Sequence, residues 1–387
     1  MMVEFEPSNS LLARCLQTAA MLQGILIILV LSKSPAMPPS PDKSPPTQLQ
    51  VRVGFRVRAF SPRHSCRFGL ASECVLFRLD TAAVPGSIGL MVMLILYNYW
   101  FLYIPYLVWC YYDRRTPEQG GRRWSWVQSW TVWKYFMDYF PMHLVKTQDL
   151  DPAHNYIFGF HPHGIFGFGA FGNFCTNYSD FKKLFPGFTS YLHVAVSWFW
   201  LPFFREYALS YGPVSVSKRS LSHVMSKDGG GNISVIVLGG AKELLESFPG
   251  RYSLCLLQRK GFVKIALTHG AHLVPVFSFG ENELYSQVDN PKGSWLRTAQ
   301  DKVYNLTGLA LPLFYARGIF QNSFGLMPYR KLIYTVVGRP IPVQKTPHPT
   351  PEQIDELHQT YMEELRKLFN EHKGKYGIPE HETLVFK

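Results

Sequence analysis

Apolar positions along this chain follow two regimes. The longest block, Val84 to Tyr112, runs 29 residues without a formal charge. As one helix it would be about 43 Å long, more than a bilayer's hydrocarbon core requires. The block therefore reads as membrane-embedded, either as one tilted span or as a re-entrant hairpin broken at Pro105 or at the Gly86/Gly89 pair. Leu16 to Leu31 is a shorter apolar segment. Glu4 and Glu6 stand where a cleaved signal peptide would be basic, so a signal-anchor or embedded segment is expected there. From Thr116 onward the pattern changes to short β-favouring runs separated by helix-length pieces. The expected strands are Tyr156–Phe160, Val214–Ser217, Ile233–Leu238, Tyr252–Leu257, Leu273–Phe277 and Ile333–Val337. Arg219–Ser226, Ala241–Ser247 and Gly261–His269 read as helices between them. This alternation predicts an α/β domain with a largely parallel sheet flanked by helices. The last helix has the clearest signals. Thr350 can cap it, Pro351 suits its first turn, and Ile354, Leu357, Tyr361, Leu365 and Leu368 share one face.

Composition separates the regimes further. Residues 32–83 hold seven prolines and eight basic against three acidic residues, which predicts a disordered insert. The expected organisation is a hydrophobic segment over 1–31, that insert over 32–83, a membrane segment over 84–112 and a cytosolic domain over 113–387. Asp113-Arg114-Arg115 and Arg122-Arg123 favour a cytosolic side after Tyr112, although the basic insert complicates a simple two-span hairpin. The net charge of +12 calls for an anionic partner. The cations are dispersed and no nucleic-acid module is present, so anionic lipid headgroups and the phosphates of a substrate fit better than nucleic acid. Six cysteines show no CxxC spacing and read as reduced thiols. Sequons at Asn177, Asn232 and Asn305 are expected to be unused.

The chemistry concentrates at Asn155-Tyr156-Ile157-Phe158-Gly159-Phe160-His161-Pro162-His163-Gly164. A strand runs into a turn that carries two histidines, and α/β proteins gather catalytic groups at strand carboxyl ends. Pro162 restricts His161, and Gly164 permits a close approach to the backbone. Two histidines hydrogen-bonded in a loop are the plainer alternative. Gly167-Phe168-Gly169-Ala170-Phe171-Gly172 fits GxGxxG but starts past the histidines, so helix packing is expected there, not a dinucleotide. His161 and His163 have no third ligand at a recognisable spacing, and no metal is expected. Gly229-Gly230-Gly231 lacks the residues of a phosphate loop and reads as a turn.

His161-Pro162-His163-Gly164 after an apolar strand resembles the signature of the diacylglycerol acyltransferase 2 and monoacylglycerol acyltransferase family. The likeness extends from about Pro117 to the C-terminus through Tyr139-Phe140-Pro141, Gly239-Gly240-Ala241-Lys242-Glu243, Arg259-Lys260-Gly261-Phe262 and Phe279-Gly280-Glu281-Asn282. Met2-Val3-Glu4-Phe5, Leu150-Asp151-Pro152 and Gly377-Ile378-Pro379-Glu380 are most similar to its monoacylglycerol branch. The insert departs from the family, whose two hydrophobic segments are normally joined by a short connection.

The resemblance implies an acyltransferase-like fold with an N-terminal membrane anchor at the endoplasmic reticulum. The catalytic domain would face the cytosol, with acyl-coenzyme A as co-substrate and no permanently bound cofactor. The activity implied is acylation of monoacylglycerol. Diacylglycerol or a long-chain alcohol as acceptor, and a non-catalytic lipid-binding protein, are the alternatives. Membrane lipids would be the surroundings, and assembly with itself or with other lipid-synthesis enzymes is compatible with the family.

A thioester is already activated, so the step needs chiefly a base for the attacking hydroxyl. The resemblance ranks His163 as that base and His161 as its support. Lysophosphatidate-type acyltransferases place an aspartate five positions after their histidine, but here those positions are Phe166 and Phe168. Glu243 is the expected substitute that orients the imidazole. Arg259 and Lys260, ahead of the helix that Gly261 and Phe262 begin, are expected to bind phosphate, with Arg205 and Lys218-Arg219 as weaker candidates. Tyr139, Phe140 and Pro141 are assigned to packing or acyl-chain contact. Glu281 and Asn282 are assigned to substrate contact or turn closure.

Overall fold

A computed structural model describes residues 86–318 and 324–387. The expectations for residues 1–31 and for the 32–83 insert lie outside the described residues. The centre of the molecule is a seven-stranded sheet. Its strands are β1 (Met142–Lys146), β2 (Tyr156–His161), β3 (Thr189–Val194), β4 (Val214–Ser215), β5 (Asn232–Val237), β6 (His272–Phe279) and β7 (Ile333–Val337). Their order across the sheet is β1-β7-β6-β2-β5-β3-β4. Every neighbouring pair is parallel except β7 with β6, so β1 and β7 run against the other five. The expected largely parallel α/β architecture is what the chain forms.

β2 lies in the middle, with Phe160 paired to Val237 of β5 and to Val276 of β6. All six of its residues are buried, which is why it reads as a continuous apolar run and not as an alternation. Ile157 packs on one face with the long helix Pro351–His372, through Tyr361, Leu365 and Phe369. Phe158 and Phe160 pack on the other face with Phe174, Phe181 and Phe185. Thr350 and Gln353 form the reciprocal cap that starts the long helix, and Pro351 opens its first turn.

The helices that frame the site are α1 (residues 86–96), α2 (Trp100–Tyr112), α3 (Thr131–Tyr139), α4 (Phe168–Cys175), α5 (Phe204–Tyr211), α6 (Lys218–Met225), α7 (Gly261–His269), α8 (Trp295–Thr307) and α9 (Pro351–His372). Three expectations need correction. Tyr252–Leu257 gives only a two-residue strand, Ser253–Leu254, paired with Val385–Phe386 outside the main sheet. Ala241–Ser247 is one turn of α-helix followed by a 3-10 turn. Val214–Ser217 pairs over two residues, because Ser217 already caps α6 through its side chain.

The apolar block from Val84 is not a single helix. It breaks between α1 and α2, where Asn98 adopts φ 64°, a left-handed conformation that Asn tolerates. Pro105 lies inside α2, and the Gly86/Gly89 pair lies inside α1, so neither makes the break. No helix among the described residues is long and apolar enough to cross a membrane. α2 buries none of its residues, yet it is tied to the domain. Tyr106 stacks on Phe203 at 4.4 Å between ring centres, and its hydroxyl accepts the Phe203 amide at 2.6 Å.

Candidate active site

β2 delivers His161 and His163 to the end of the sheet, and the turn between them includes a cis His161–Pro162 bond. The two rings have different surroundings. His161 is fully buried, with Nε2 3.0 Å from Tyr361 Oη. Tyr361 donates its hydroxyl proton to the Gly159 carbonyl at 3.1 Å, so it accepts from His161 Nε2–H. Burial lowers the His161 pKa to about 3, which keeps the ring neutral. His163 is half-buried and faces a large cavity. Its Nδ1 lies 3.1 Å from the Gly164 carbonyl. A carbonyl only accepts, so Nδ1 carries the proton and Nε2 keeps its lone pair. Burial lowers this pKa as well, and the ring is held in its basic form.

Glu243 does reach the histidine turn, but not through the imidazole. Its Oε1 accepts the His163 amide at 2.8 Å and its Oε2 accepts the Cys255 amide at 2.7 Å. The expected tautomer role falls to Gly164 O, while Glu243 holds the backbone that carries the ring. Burial pushes its carboxyl up to about 7, against the pull of the two amides and of Arg259. A Cβ on Gly239 would collide with this carboxylate, which gives that glycine its physical reason.

Glu281 supports the turn from beneath. Its Oε2 accepts the Gly169 amide at 2.9 Å, and a Cβ on Gly164 would lie 2.7 Å from its Cγ. Its carboxyl is also pushed up to about 7 by burial. Neither Glu281 nor Asn282 lines the cavity, and Asn282 ties its segment to the loop at Arg251 by donating to Arg251 O at 3.0 Å. Nearer in the chain, Ser278 Oγ donates to Glu281 Oε2 at 3.4 Å.

The cavity measures about 1100 Å³. His163 lies in its wall, which also carries two chemically distinct sets of residues. Lys218 at the start of α6, with Arg259, Lys260 and Lys264 at the start of α7, supplies cations from two helices that pack together. Trp133, Phe136, Phe140, Phe168 and Phe204 supply aromatic walls from α3, α4, α5 and the turn after α3. Lys260 also pairs with Asp355 at 2.6 Å, and Arg259 approaches Gly239 O at 3.4 Å. Phe262 is buried edge-on against Tyr361, so it steadies the partner of His161. Gly261 has open space about it.

Arg205, Arg219 and Pro141 are not part of the cavity lining. Arg205 is buried in ion pairs with Asp113 and Glu206, so it belongs to the junction below α2 and not to a phosphate site. Arg219 pairs with Glu118 on the surface. Tyr139 lines the cavity beside Phe140, with its hydroxyl donating to Pro328 O and receiving Arg317, while Pro141 is half-buried just past the end of α3. The GxGxxG stretch is packing, as expected. A Cβ on Gly169 would lie 2.7 Å from Glu281 Oε2, and one on Gly172 would collide with Met142 Sδ.

Sequence reasoning missed the hydroxyl of Tyr361, which it took only as part of an apolar face. It also missed His193 on the cavity wall. His193 is fully hydrogen-bonded to Ser215 O and Ser234 Oγ, and burial lowers its pKa to about 4.

Residues 92–387 match the sequence profile of the family described as Diacylglycerol acyltransferase. The chain belongs to that family. It is 68% identical to 2-acylglycerol O-acyltransferase 1 of Mus musculus and 62% identical to the Homo sapiens protein of that name, with all of each chain covered. Diacylglycerol O-acyltransferase 2 of Homo sapiens is 50% identical over 74% of each chain. A solved 1-acyl-sn-glycerophosphate acyltransferase from Thermotoga maritima aligns over 78% of this chain and 98% of its own. Its identity is 13% and its TM-score 0.31, a likeness too loose to bear on the fold. The protein is an acyltransferase, as its family membership and its two full-length relatives establish.

Proposed function

We propose that the protein acylates monoacylglycerol to diacylglycerol with acyl-coenzyme A at a membrane surface. The observation that carries this reading is His163 Nε2, proton-free, in the wall of a cavity with cations at one set of helix starts and aromatic rings on another. The coenzyme's phosphates suit Arg259, Lys260, Lys218 and Lys264, and the acyl chain suits the aromatic walls. The acceptor hydroxyl attacks the thioester carbonyl while its proton passes to His163 Nε2. The C–S bond then breaks, and the imidazolium returns the proton to the departing thiolate. Glu243, through the His163 amide, and Glu281, under Gly164, fix the turn throughout.

Monoacylglycerol as acceptor is supported by the full-length likeness to 2-acylglycerol O-acyltransferases. The 50% identity to diacylglycerol O-acyltransferase 2 supports diacylglycerol as the second reading. The break at Asn98 and the exposed apolar surface of α1 and α2 support a re-entrant anchor over 84–112, with the catalytic domain beginning at 113. The endoplasmic reticulum, facing the cytosol, is the compartment we assign, on the family resemblance. The test is acyl transfer by membranes carrying the full chain, with monoacylglycerol and diacylglycerol in competition. Monoacylglycerol should be consumed first. Preference for diacylglycerol would replace the acceptor, and no transfer to either would overturn the reading.

A further inference from the structure

Between Lys302 and Pro351 the chain carries no aspartate or glutamate. The segment that leaves α8 in this acid-free stretch, Leu309-Ala310-Leu311-Pro312-Leu313, is wholly apolar yet not withdrawn from solvent. Leu306 is 87% exposed, Leu309 53% and Leu311 44%. Leu309 and Ala310 nevertheless line the cavity. A leucine that is half exposed and also lines a cavity lies at its rim. A second apolar stretch reaches the rim as well. Trp198 is exposed and lines the cavity, Leu201 lines it, and Phe203 two residues later holds Tyr106 of α2.

We propose that the segment from Tyr304 to Leu313 is a second membrane contact, by which the cavity opens sideways into the bilayer. The acylglycerol enters and the product leaves past Leu309. The contact is about 200 residues beyond α2 in sequence and is independent of that anchor.

Three features select a bilayer as the occupant. The exposed leucines adjoin the cavity through Leu309, and the acylglycerol that the proposed function places there is itself a bilayer lipid. Exposed Arg330 and Lys331 lie in the acid-free stretch and exposed Lys302 borders it, a charge pattern complementary to anionic headgroups. Trp198, Trp200 and Tyr304 are side chains of the type that settles at the water–lipid interface. This inference rests on the acylglycerol acyltransferase reading for the passage of substrate, but bilayer contact can be measured without any turnover.

The experiment uses the full chain in vesicles of phosphatidylcholine with phosphatidylserine, and two diazirine-bearing probes, a phosphatidylcholine and a monoacylglycerol. After irradiation and trypsin, the peptide Val303–Arg317 should carry both labels, and unlabelled monoacylglycerol should displace only the second. A phospholipid label that misses this peptide while marking α1 and α2 overturns the proposal. Shielding of the rim by a second copy or by another protein would give that result. A phospholipid label on the peptide without the monoacylglycerol label keeps the membrane contact and refutes the route.

Kinetics give an independent readout. Leu306→Glu with Leu311→Glu changes two leucines outside the cavity lining. It should raise KM tenfold or more for long-chain acceptor in vesicles and leave turnover of a water-soluble short-chain acceptor unchanged. Equal loss on both acceptors, or no change on either, overturns the proposal.

Discussion

An imidazole that works as a base needs one nitrogen held and the other free. His163 meets this with a carbonyl from its own turn, so the orienting aspartate that the sequence lacks is not required. His163→Ala should lower acyl transfer by about 10²–10⁴-fold, the usual contribution of a general base, with membrane retention unchanged. More than about a tenth of the activity surviving would contradict the role. Tyr361→Phe leaves the buried His161 Nε2–H without an acceptor and should cost about 1–3 kcal/mol of stability, read as a lower Tm, while retaining more turnover than His163→Ala.

The buried carboxyls make a separate prediction at this scale. Glu243 and Glu281 are each raised from 4.5 to about 7. A raised carboxyl favours the fold while protonated, so this stabilisation is complete below pH 4.5 and fades as pH rises through 7. It amounts to about 3 kcal/mol per group. Between pH 4.5 and pH 7 the parent's Tm in detergent should therefore fall relative to that of Glu281→Gln, and the difference should level off above pH 7. An unchanged slope in that variant would remove Glu281 as a source. The histidines and Glu243 were legible as a cluster because they end or follow predicted strands. Which atom touches which was not, since Glu243 acts on an amide and a sequence pattern reports only side chains.

Among the elements, those that the sequence made legible are the ones with a mostly apolar run or a capping signal. β2, β5, β6, β7, α6, α7 and α9 lie within a residue or two of expectation because each is mostly apolar or carries a cap. β1 and β3 escaped notice because polar residues interrupt them: His143 and Lys146 in β1, Thr189, Ser190 and His193 in β3. Tyr252–Leu257 misled in the opposite way. Leu254 and Leu256 are fully buried, but against a face of the domain and not in the main sheet, so a strand-like alternation gave only two paired residues.

The same reasoning identifies a critical contact inside β2. Gly159 has ordinary backbone geometry, yet a Cβ there would collide with Tyr361 Oη and lie 2.6 Å from Leu238 Cδ1. The strand and α9 approach too closely for a methyl group. Gly159→Ala should lose about 1–3 kcal/mol, the common cost of overpacking, and displace the hydroxyl that steadies His161. Denaturation midpoint and turnover should fall together. A variant as stable and active as the parent would mean that α9 can retreat without effect on the site.

At the scale of the whole molecule, the arrangement brings two substrates of opposite solubility to one imidazole. Acyl-coenzyme A carries phosphates that need water and cations, whereas the acylglycerol and its product stay in the bilayer. On the function proposed above, the cationic starts of α6 and α7 face the cytosol while α1, α2 and the leucine rim meet the membrane. Within the domain, Asn232 is buried in β5 and bonded to Asn155 and Gly230, so the folded chain has no room for a glycan there. Asn177 is likewise engaged, with Ser125 O and Ser129 Oγ. Arg122 and Arg205 converge on Asp113 immediately after α2 and tie the end of that helix to the domain. With a C-terminal epitope on sealed microsomes, added protease should remove the epitope without detergent, and the protein should bear no N-linked glycan. Protection until detergent is added, or a glycan on Asn232, would put the cationic wall of the cavity on the luminal side, away from a cytosolic acyl-coenzyme A supply, and the two-sided model would fail.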